Sequence, residues 1–97
     1  MDHVFEIIDK SGRKIRLTNR QWEHITTTHP GMAQYLDEIK ITLEKPLKII
    51  EHEVENLRRY YTYQKNRKYP EKFLRIIVKY LNGDGFVISA QFVRNMT

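Results

Sequence analysis

The chain has 97 residues, 40% of them hydrophobic and 30% charged, which fits a single domain over residues 1–97. Its formal net charge of +5 favours a phosphate-rich partner such as nucleic acid. The chain has no cysteine, which excludes disulfides, thiolate nucleophiles and thiolate zinc sites. No apolar run approaches the roughly 20 residues that span a bilayer, and the N-terminus lacks a targeting pattern. We therefore expect a cytoplasmic protein without a membrane partner.

The first third of the sequence predicts a β-hairpin followed by a helix. Two short segments with turn-forming residues between them alternate apolar and polar side chains: residues 4–8 and 14–17. Thr18 followed three residues later by Gln21 resembles a capping box, so a helix is expected to begin near Asn19. Pro30 should end this helix, because proline cannot continue the backbone hydrogen-bond pattern.

The rest of the sequence predicts a second helix and then a sheet. Helical spacing of apolar residues covers residues 32–44. Beyond Pro46, four segments combine β-branched or aromatic residues with flanking turn signals: residues 47–51, 57–63, 73–81 and 86–93. The last two should form a hairpin around Asn82-Gly83-Asp84-Gly85. This pattern indicates an α+β fold with helices on one face of a mostly antiparallel sheet.

Residue parity predicts which side chains of the last two strands face the core. The expected core positions are Leu74, Ile76, Val78 and Tyr80 in one strand and Phe86, Ile88, Ala90 and Phe92 in the other. Arg75 and Lys79 would then lie on the open face, where Ser89 and Gln91 could meet Lys79 across the hairpin. The strand over residues 57–63 adds an Arg and a Tyr in either parity. An open face with cations and aromatic rings suits RNA.

Basic residues concentrate in the second half of the chain. Between positions 58 and 79, eight Lys or Arg residues accompany a single acid, Glu71. Such a segment is typical of a surface that faces a polyanion. Within it, residues 64–71 are rich in Lys, Arg, Asn and Pro, and we interpret them as a mobile loop that reaches across a ligand.

Two histidines accompany the first predicted helix. At 100° per residue, His29 falls on the stripe of Trp22 and Ile25, whereas His24 falls on the opposite, polar side. Imidazoles are the usual proton carriers near neutral pH. The four histidines of the chain are scattered and lack ligand spacing, so no metal site is expected.

Several sequence blocks between residues 15 and 95 form an ordered pattern that extends over nearly the whole chain. The blocks are Leu17-Thr18-x-x-x-Trp22-Glu23-His24-Ile25, His29-Pro30, Tyr35-Leu36-x-Glu38-Ile39, Leu43-Glu44-x-Pro46, Arg59-Tyr60-Tyr61, Ile77-Val78-Lys79, Gly85-Phe86-Val87-Ile88-Ser89-Ala90 and Phe92-Val93-Arg94. Together they resemble the prokaryotic phage-barnase-EndoU-colicin-RelE-like (BECR-fold) nucleases. The resemblance implies two N-terminal helices packed on a curved, mostly antiparallel sheet of four to six strands.

The resemblance also implies metal-independent RNA cleavage, without a cofactor, by attack of the ribose 2′-OH on the neighbouring phosphate. The implied catalytic residues are His24, His29, Lys79, Ser89 and Tyr61, the last of which would either stack on a base or relay a proton. The implied substrate-binding residues are Arg59, Arg75, Gln91, Arg94, Lys65 and Arg67. The expected partners are RNA, including tRNA, and an antitoxin or immunity protein. Two alternatives remain open: a catalytically inactive RNA-binding module of the same fold, and a domain that binds a protein partner.

Overall fold

The computed structural model describes residues 3–97, in which six β-strands and two α-helices form an α+β fold. In chain order the elements are β1 (His3–Ile8), β2 (Lys14–Thr18), α1 (Asn19–Thr28), α2 (Leu36–Glu44), β3 (Lys48–His52), β4 (Leu57–Tyr63), β5 (Phe73–Leu81) and β6 (Asp84–Val93). Short 3₁₀ helices occupy Pro30–Gln34 and Glu53–Glu55. The predicted domain begins at Met1, but Met1 and Asp2 lie outside the described residues. Within residues 3–97, no helix has the length and apolar character needed to cross a membrane.

The six strands form one sheet in the order β1-β2-β6-β5-β4-β3. All neighbouring strands are antiparallel except β2 and β6, which pair in parallel through Ile15 with Gly85 and Arg16 with Phe86. The predicted mostly antiparallel sheet is therefore confirmed. Both helices follow the β1–β2 hairpin rather than beginning the chain. They are N-terminal only relative to the last four strands.

The predicted start of α1 is confirmed, whereas the predicted start of the second helix is wrong. Thr18 caps α1, because its Oγ1 accepts a hydrogen bond from the backbone N–H of Gln21 at 3.1 Å. Helix α2 begins at Leu36 rather than near residue 32. Residues 30–34 instead form a 3₁₀ helix, and the N–H of Tyr35 donates to the carbonyl of Met32 at 2.9 Å. This tighter turn separates the two α-helices.

The hydrophobic core lies between the two helices and one face of the sheet, here called the inner face. Apolar residues from both helices pack with residues from β1, β2, β4, β5 and β6: Ile25, Ile39, Leu43, Phe5, Ile15, Leu17, Tyr60, Leu74, Ile76, Val78, Tyr80, Val87 and Ala90. The predicted core face of β5 is therefore confirmed. On β4, Tyr60 faces the core, which leaves Arg59, Tyr61 and Tyr63 on the opposite, outer face.

A β-bulge in β6 changes which of its side chains face the core, so the predicted alternation of core and open-face residues is wrong in part of this strand. Ile77 pairs with Ser89 but Val78 pairs with Val87, so Ile88 is an extra residue without a partner. Val87 is consequently buried, and Ile88 is 37% exposed. The predicted core positions Phe86 and Ile88 are wrong, because strict alternation does not hold across the bulge, whereas Ala90 and Phe92 do pack on the core side.

The predicted meeting of Lys79 with two polar residues across the hairpin is also wrong. Lys79 pairs with Phe86, whereas Ser89 pairs with Ile77 and Gln91 pairs with Arg75. The two-residue turn at Asn82 and Gly83, together with the bulge, sets this register. Lys79 therefore lies closer to the turn end of the hairpin than either polar residue.

Buried polar groups connect the β1–β2 turn to β4 and β5. Asp9 is 5% exposed and accepts hydrogen bonds from the backbone N–H groups of Ser11 at 2.9 Å and Arg13 at 2.8 Å. The Tyr60 hydroxyl also donates to this carboxylate, and Arg58 Nη1 lies 3.5 Å from it. Burial alone would raise the pKa of Asp9, but the hydrogen bonds from Tyr60, Arg13 and Ser11 hold this pKa below its ordinary value.

Gly85 is a position where the sheet leaves no room for a side chain. A Cβ atom there would approach Tyr80 Cε1 and Val78 Cγ1 at 2.9 Å and Ile15 Cγ1 at 3.1 Å. We expect Gly85→Ala to lower the free energy of unfolding by about 1–3 kcal/mol, because the packed core must shift. Urea unfolding measures this change. Gly31→Ala is the matched control, since no atom lies within 4 Å of the added Cβ, and an equal loss in both variants would contradict the packing argument.

Candidate functional site

A cleft of about 340 Å³ opens between the end of α1, the segment of residues 64–72 and the end of β6. We call it the His29 cleft. Its lining residues are Thr28, His29, Pro30, Gly31, Met32, Arg67, Glu71, Gln91 and Phe92. Three of the predicted site residues, His29, Arg67 and Gln91, therefore lie in one cleft.

The fixed position of Arg67 shapes this cleft. Its guanidinium carbon lies 3.6 Å from the centroid of the Phe92 ring, and its Nε donates to the carbonyl of Glu71 at 2.8 Å. Lys72 Nζ donates to the carbonyl of Arg67, and the Gln64 N–H donates to the carbonyl of Lys72 at 2.8 Å. These hydrogen bonds join the two ends of the segment that we interpreted as a mobile loop. They also hold the Arg67 guanidinium at the cleft.

Glu71 and Arg94 form an ion pair at the same cleft. Arg94 Nε donates to Glu71 Oε2 at 2.9 Å, with the arginine side chain 67% exposed. The hydrogen bond from Arg94 lowers the pKa of Glu71 below its ordinary value, so that this carboxylate is ionised at neutral pH. The cleft lining therefore combines an imidazole, a carboxylate and the Arg67 guanidinium, and Arg94 binds the carboxylate.

The outer sheet face collects most of the other predicted residues. Strand pairing aligns Tyr61 with Arg75 and Gln91, and it aligns Arg59 with Ile77, which in turn pairs with Ser89. Because paired residues point to the same side of a sheet, these side chains share the face opposite the helices. Strand parity therefore placed these residues of β5 and β6 on the correct face. It also placed Lys79 too close to Ser89 and Gln91.

The C-terminal residues of the chain cover part of this face. Arg59 Nη1 and the Tyr61 hydroxyl both donate to the main-chain oxygen of Thr97, each at 2.9 Å. Tyr61 is completely buried, so the expectation of an open face is wrong at this residue. Arg75 Nε is also buried, and it has no hydrogen-bond partner within residues 3–97.

Besides the residues described above, three further predicted residues lie outside the His29 cleft and make other contacts. Lys79 Nζ donates to the carbonyl of Glu55 at 2.6 Å, beyond the opposite end of β5 from Glu71. His24 is exposed on α1 and lines a different surface depression with Arg20, Glu23 and Thr27. Lys65 is exposed in the 64–72 segment and lines a second cleft beside Arg67. The two histidines of the α1 region therefore do not share a site.

Sequence reasoning did not assign a functional role to Glu71 or Phe92. Phe92 was recognisable only as an apolar strand residue, although its ring supports the Arg67 guanidinium. Glu71 carried a usable signal, because it is the single acid in the basic stretch between positions 58 and 79. This carboxylate is ion-paired with Arg94, and it lines the cleft that His29 also lines.

The fold and the cleft together define an α+β domain with a histidine-containing cleft at one end of its sheet, lined by one arginine and one glutamate. Within residues 3–97, no group of three or more His, Asp or Glu side chains is arranged to hold a metal ion. Comparison of the chain with protein-family models, curated proteins and solved structures gave no match.

Proposed function

We propose that this protein is an endoribonuclease that cleaves RNA without a metal ion, by transesterification through the ribose 2′-OH. The observation that carries the proposal is the convergence of His29, Glu71 and Arg67 on one cleft, with Arg94 bound to the carboxylate. This reaction needs a base, an acid and a cation, and the cleft supplies one group of each kind. The resemblance to BECR-fold nucleases supports the same activity.

In the proposed mechanism, Glu71 is the base and His29 is the acid. The Glu71 carboxylate accepts the proton of the 2′-OH while the 2′ oxygen forms a bond to the adjacent phosphorus. The bond from phosphorus to the 5′ oxygen then breaks, and the His29 imidazolium gives its proton to that oxygen. The products are a 2′,3′-cyclic phosphate and a free 5′-OH. Arg67 and Arg94 stabilise the negative charge that develops on the phosphate oxygens.

The proposal includes the finer fold assignment to a curved, barnase-like BECR sheet and the partners that this family implies. The partners are RNA, including tRNA, and an antitoxin or immunity protein that restrains cleavage. The order of the sequence blocks supports both assignments, and the net charge of +5 supports RNA.

One observation favours a second candidate function, an RNA-binding module without cleavage. Two donors on the outer face, Arg59 Nη1 and the Tyr61 hydroxyl, converge on a single oxygen of Thr97. A phosphate oxygen can accept the same two hydrogen bonds. RNA bound there would have to displace the segment of residues 94–97.

Incubation of the purified protein with total tRNA and with mixed-sequence RNA, in excess chelator, tests the proposed activity. We expect fragments with cyclic-phosphate ends, because no step requires a metal ion. RNA that stays intact but binds with a steep salt dependence would contradict cleavage and support the binding module. A sample that neither cuts nor binds RNA would contradict both functions and favour the protein-partner domain.

A further inference from the structure

A second cleft lies against the His29 cleft, and Arg67 lines both. This neighbouring cleft has a volume of about 270 Å³. We call it the Tyr63 cleft, and its lining residues are Tyr35, Tyr63, Gln64, Lys65, Asn66 and Arg67. Because one guanidinium borders both spaces, a ligand that fills them together would contact Arg67 from two sides.

An exposed aromatic ring forms one wall of the Tyr63 cleft. Tyr63 ends β4 on the outer face and is 51% exposed, although an aromatic residue of this size is usually more deeply buried. Its ring centroid lies 5.3 Å from that of Phe73 at an interplanar angle of 52°, which supports one side of the ring. At 51% exposure, part of the Tyr63 side chain remains accessible to a ligand.

Polar side chains on the 64–72 segment form the rest of this cleft. Gln64 and Asn66 carry amide groups, each of which both donates and accepts hydrogen bonds. Gln64 Nε2 donates to Thr62 Oγ1 at 3.2 Å, which orients this amide at the cleft. Lys65 adds a cation and is exposed. An aromatic ring beside amides and a cation matches the groups that proteins use to hold unpaired bases.

We propose that the Tyr63 cleft binds one unpaired nucleobase of single-stranded RNA, and that the adjoining phosphate lies across Arg67 in the His29 cleft. The placement of that phosphate rests on the proposed function, whereas the base site rests on the cleft itself. The base stacks on Tyr63, and the amides of Gln64 and Asn66 contact its edge. A base within a duplex is already paired and stacked, so the site selects single-stranded RNA.

The test uses 2′-O-methyl RNA hexanucleotides, which lack the attacking hydroxyl and therefore report binding whether or not the protein is a nuclease. We expect Tyr63→Ala to weaken binding about tenfold, the usual effect of losing one base–aromatic stack, and Tyr63→Phe to bind like the parent. Leu81→Ala is the control, because Leu81 is 53% exposed, lies at the opposite end of β5 from Phe73 and lines neither cleft.

An abasic series then shows whether Tyr63 contacts a base. The hexanucleotides carry an abasic site at one position at a time, and we expect the penalty of Tyr63→Ala to vanish at one of these positions. Thermal unfolding of each variant shows that it is folded. The proposal is overturned if no hexanucleotide binds, if the Tyr63→Ala and Leu81→Ala proteins bind equally, or if duplex RNA binds as well as single strands. Base-dependent binding without any cleavage of unmodified RNA would overturn the proposed nuclease activity and leave this base site intact.

Discussion

His29→Ala is expected to lower the rate of RNA cleavage by at least about 100-fold, the low end of the effect of a positioned acid or base. The loss follows from removing the proton donor to the 5′ oxygen while the cations of the cleft remain in place. Single-turnover cleavage of a labelled RNA measures the rate, and binding of 2′-O-methyl RNA shows that the substrate site survives. His29 is half-buried, so circular dichroism must confirm that the variant is folded.

His24→Ala distinguishes the two histidines that the sequence placed near each other. His24 lies on a different surface of α1, and we expect its removal to change the cleavage rate less than threefold. A large loss with His24→Ala and none with His29→Ala would contradict the assignment of the site to the His29 cleft. It would instead favour the role of His24 that the resemblance implies.

Asp9→Ala is expected to lower the free energy of unfolding by about 3–5 kcal/mol. The Arg58 side chain is 12% exposed, and the substitution leaves its guanidinium with Glu51 as its carboxylate partner. It also removes the carboxylate that accepts the hydrogen bond of the Tyr60 hydroxyl. Chemical denaturation measures the change. Asp84→Ala is the matched control, because its carboxylate is 42% exposed and pairs with Arg16 at 3.4 Å, a contact worth at most about 1 kcal/mol.

The contribution of Asp9 should also depend on pH. The folded protein holds the pKa of Asp9 below its ordinary value of 3.8, so folding favours the ionised carboxylate. This stabilisation is complete above that ordinary value and is lost as the pH falls through the lower pKa of the folded state. We therefore expect the difference in stability between the parent and Asp9→Ala to be constant near neutral pH and to shrink only in strong acid. A difference that shrank between pH 8 and 6 would contradict this assignment.

The sequence predicted the secondary structure well where the local signals were strong. The Thr18 cap was found where expected. The hairpin turn lies within the expected residues 82–85, although it is shorter, because β6 already begins at Asp84. The β6 parity failed because a bulge depends on how two strands pair, and one unpaired residue at Ile88 reverses the faces. The parallel pairing of β2 with β6 could not be predicted for a similar reason. Nothing in the sequence of either strand specifies a partner so distant along the chain.

The candidate site was predicted in part. Parity and charge placed Arg75, Ser89 and Gln91 on one face, and the basic segment pointed to Arg67. The presence of His29 and Glu71 in one cleft was not predicted, because the two residues lie far apart in the sequence and only the fold brings them to the same cleft. The sequence placed the two histidines on opposite sides of α1, and the resemblance implied a catalytic role for both, but only His29 lines the cleft.

The central position of β6 in the sheet has a consequence for the synthesis of the protein. This strand lies between β2 and β5, and it also contributes Gln91 and Phe92 to the His29 cleft. The ribosome makes a chain from its N-terminus, so neither the complete sheet nor the cleft can form before residues 84–93 have left the exit tunnel. A nascent chain therefore remains without its proposed RNA-cleaving site until β6 has emerged, and up to that stage the ribosome that makes it is not exposed to a tethered nuclease.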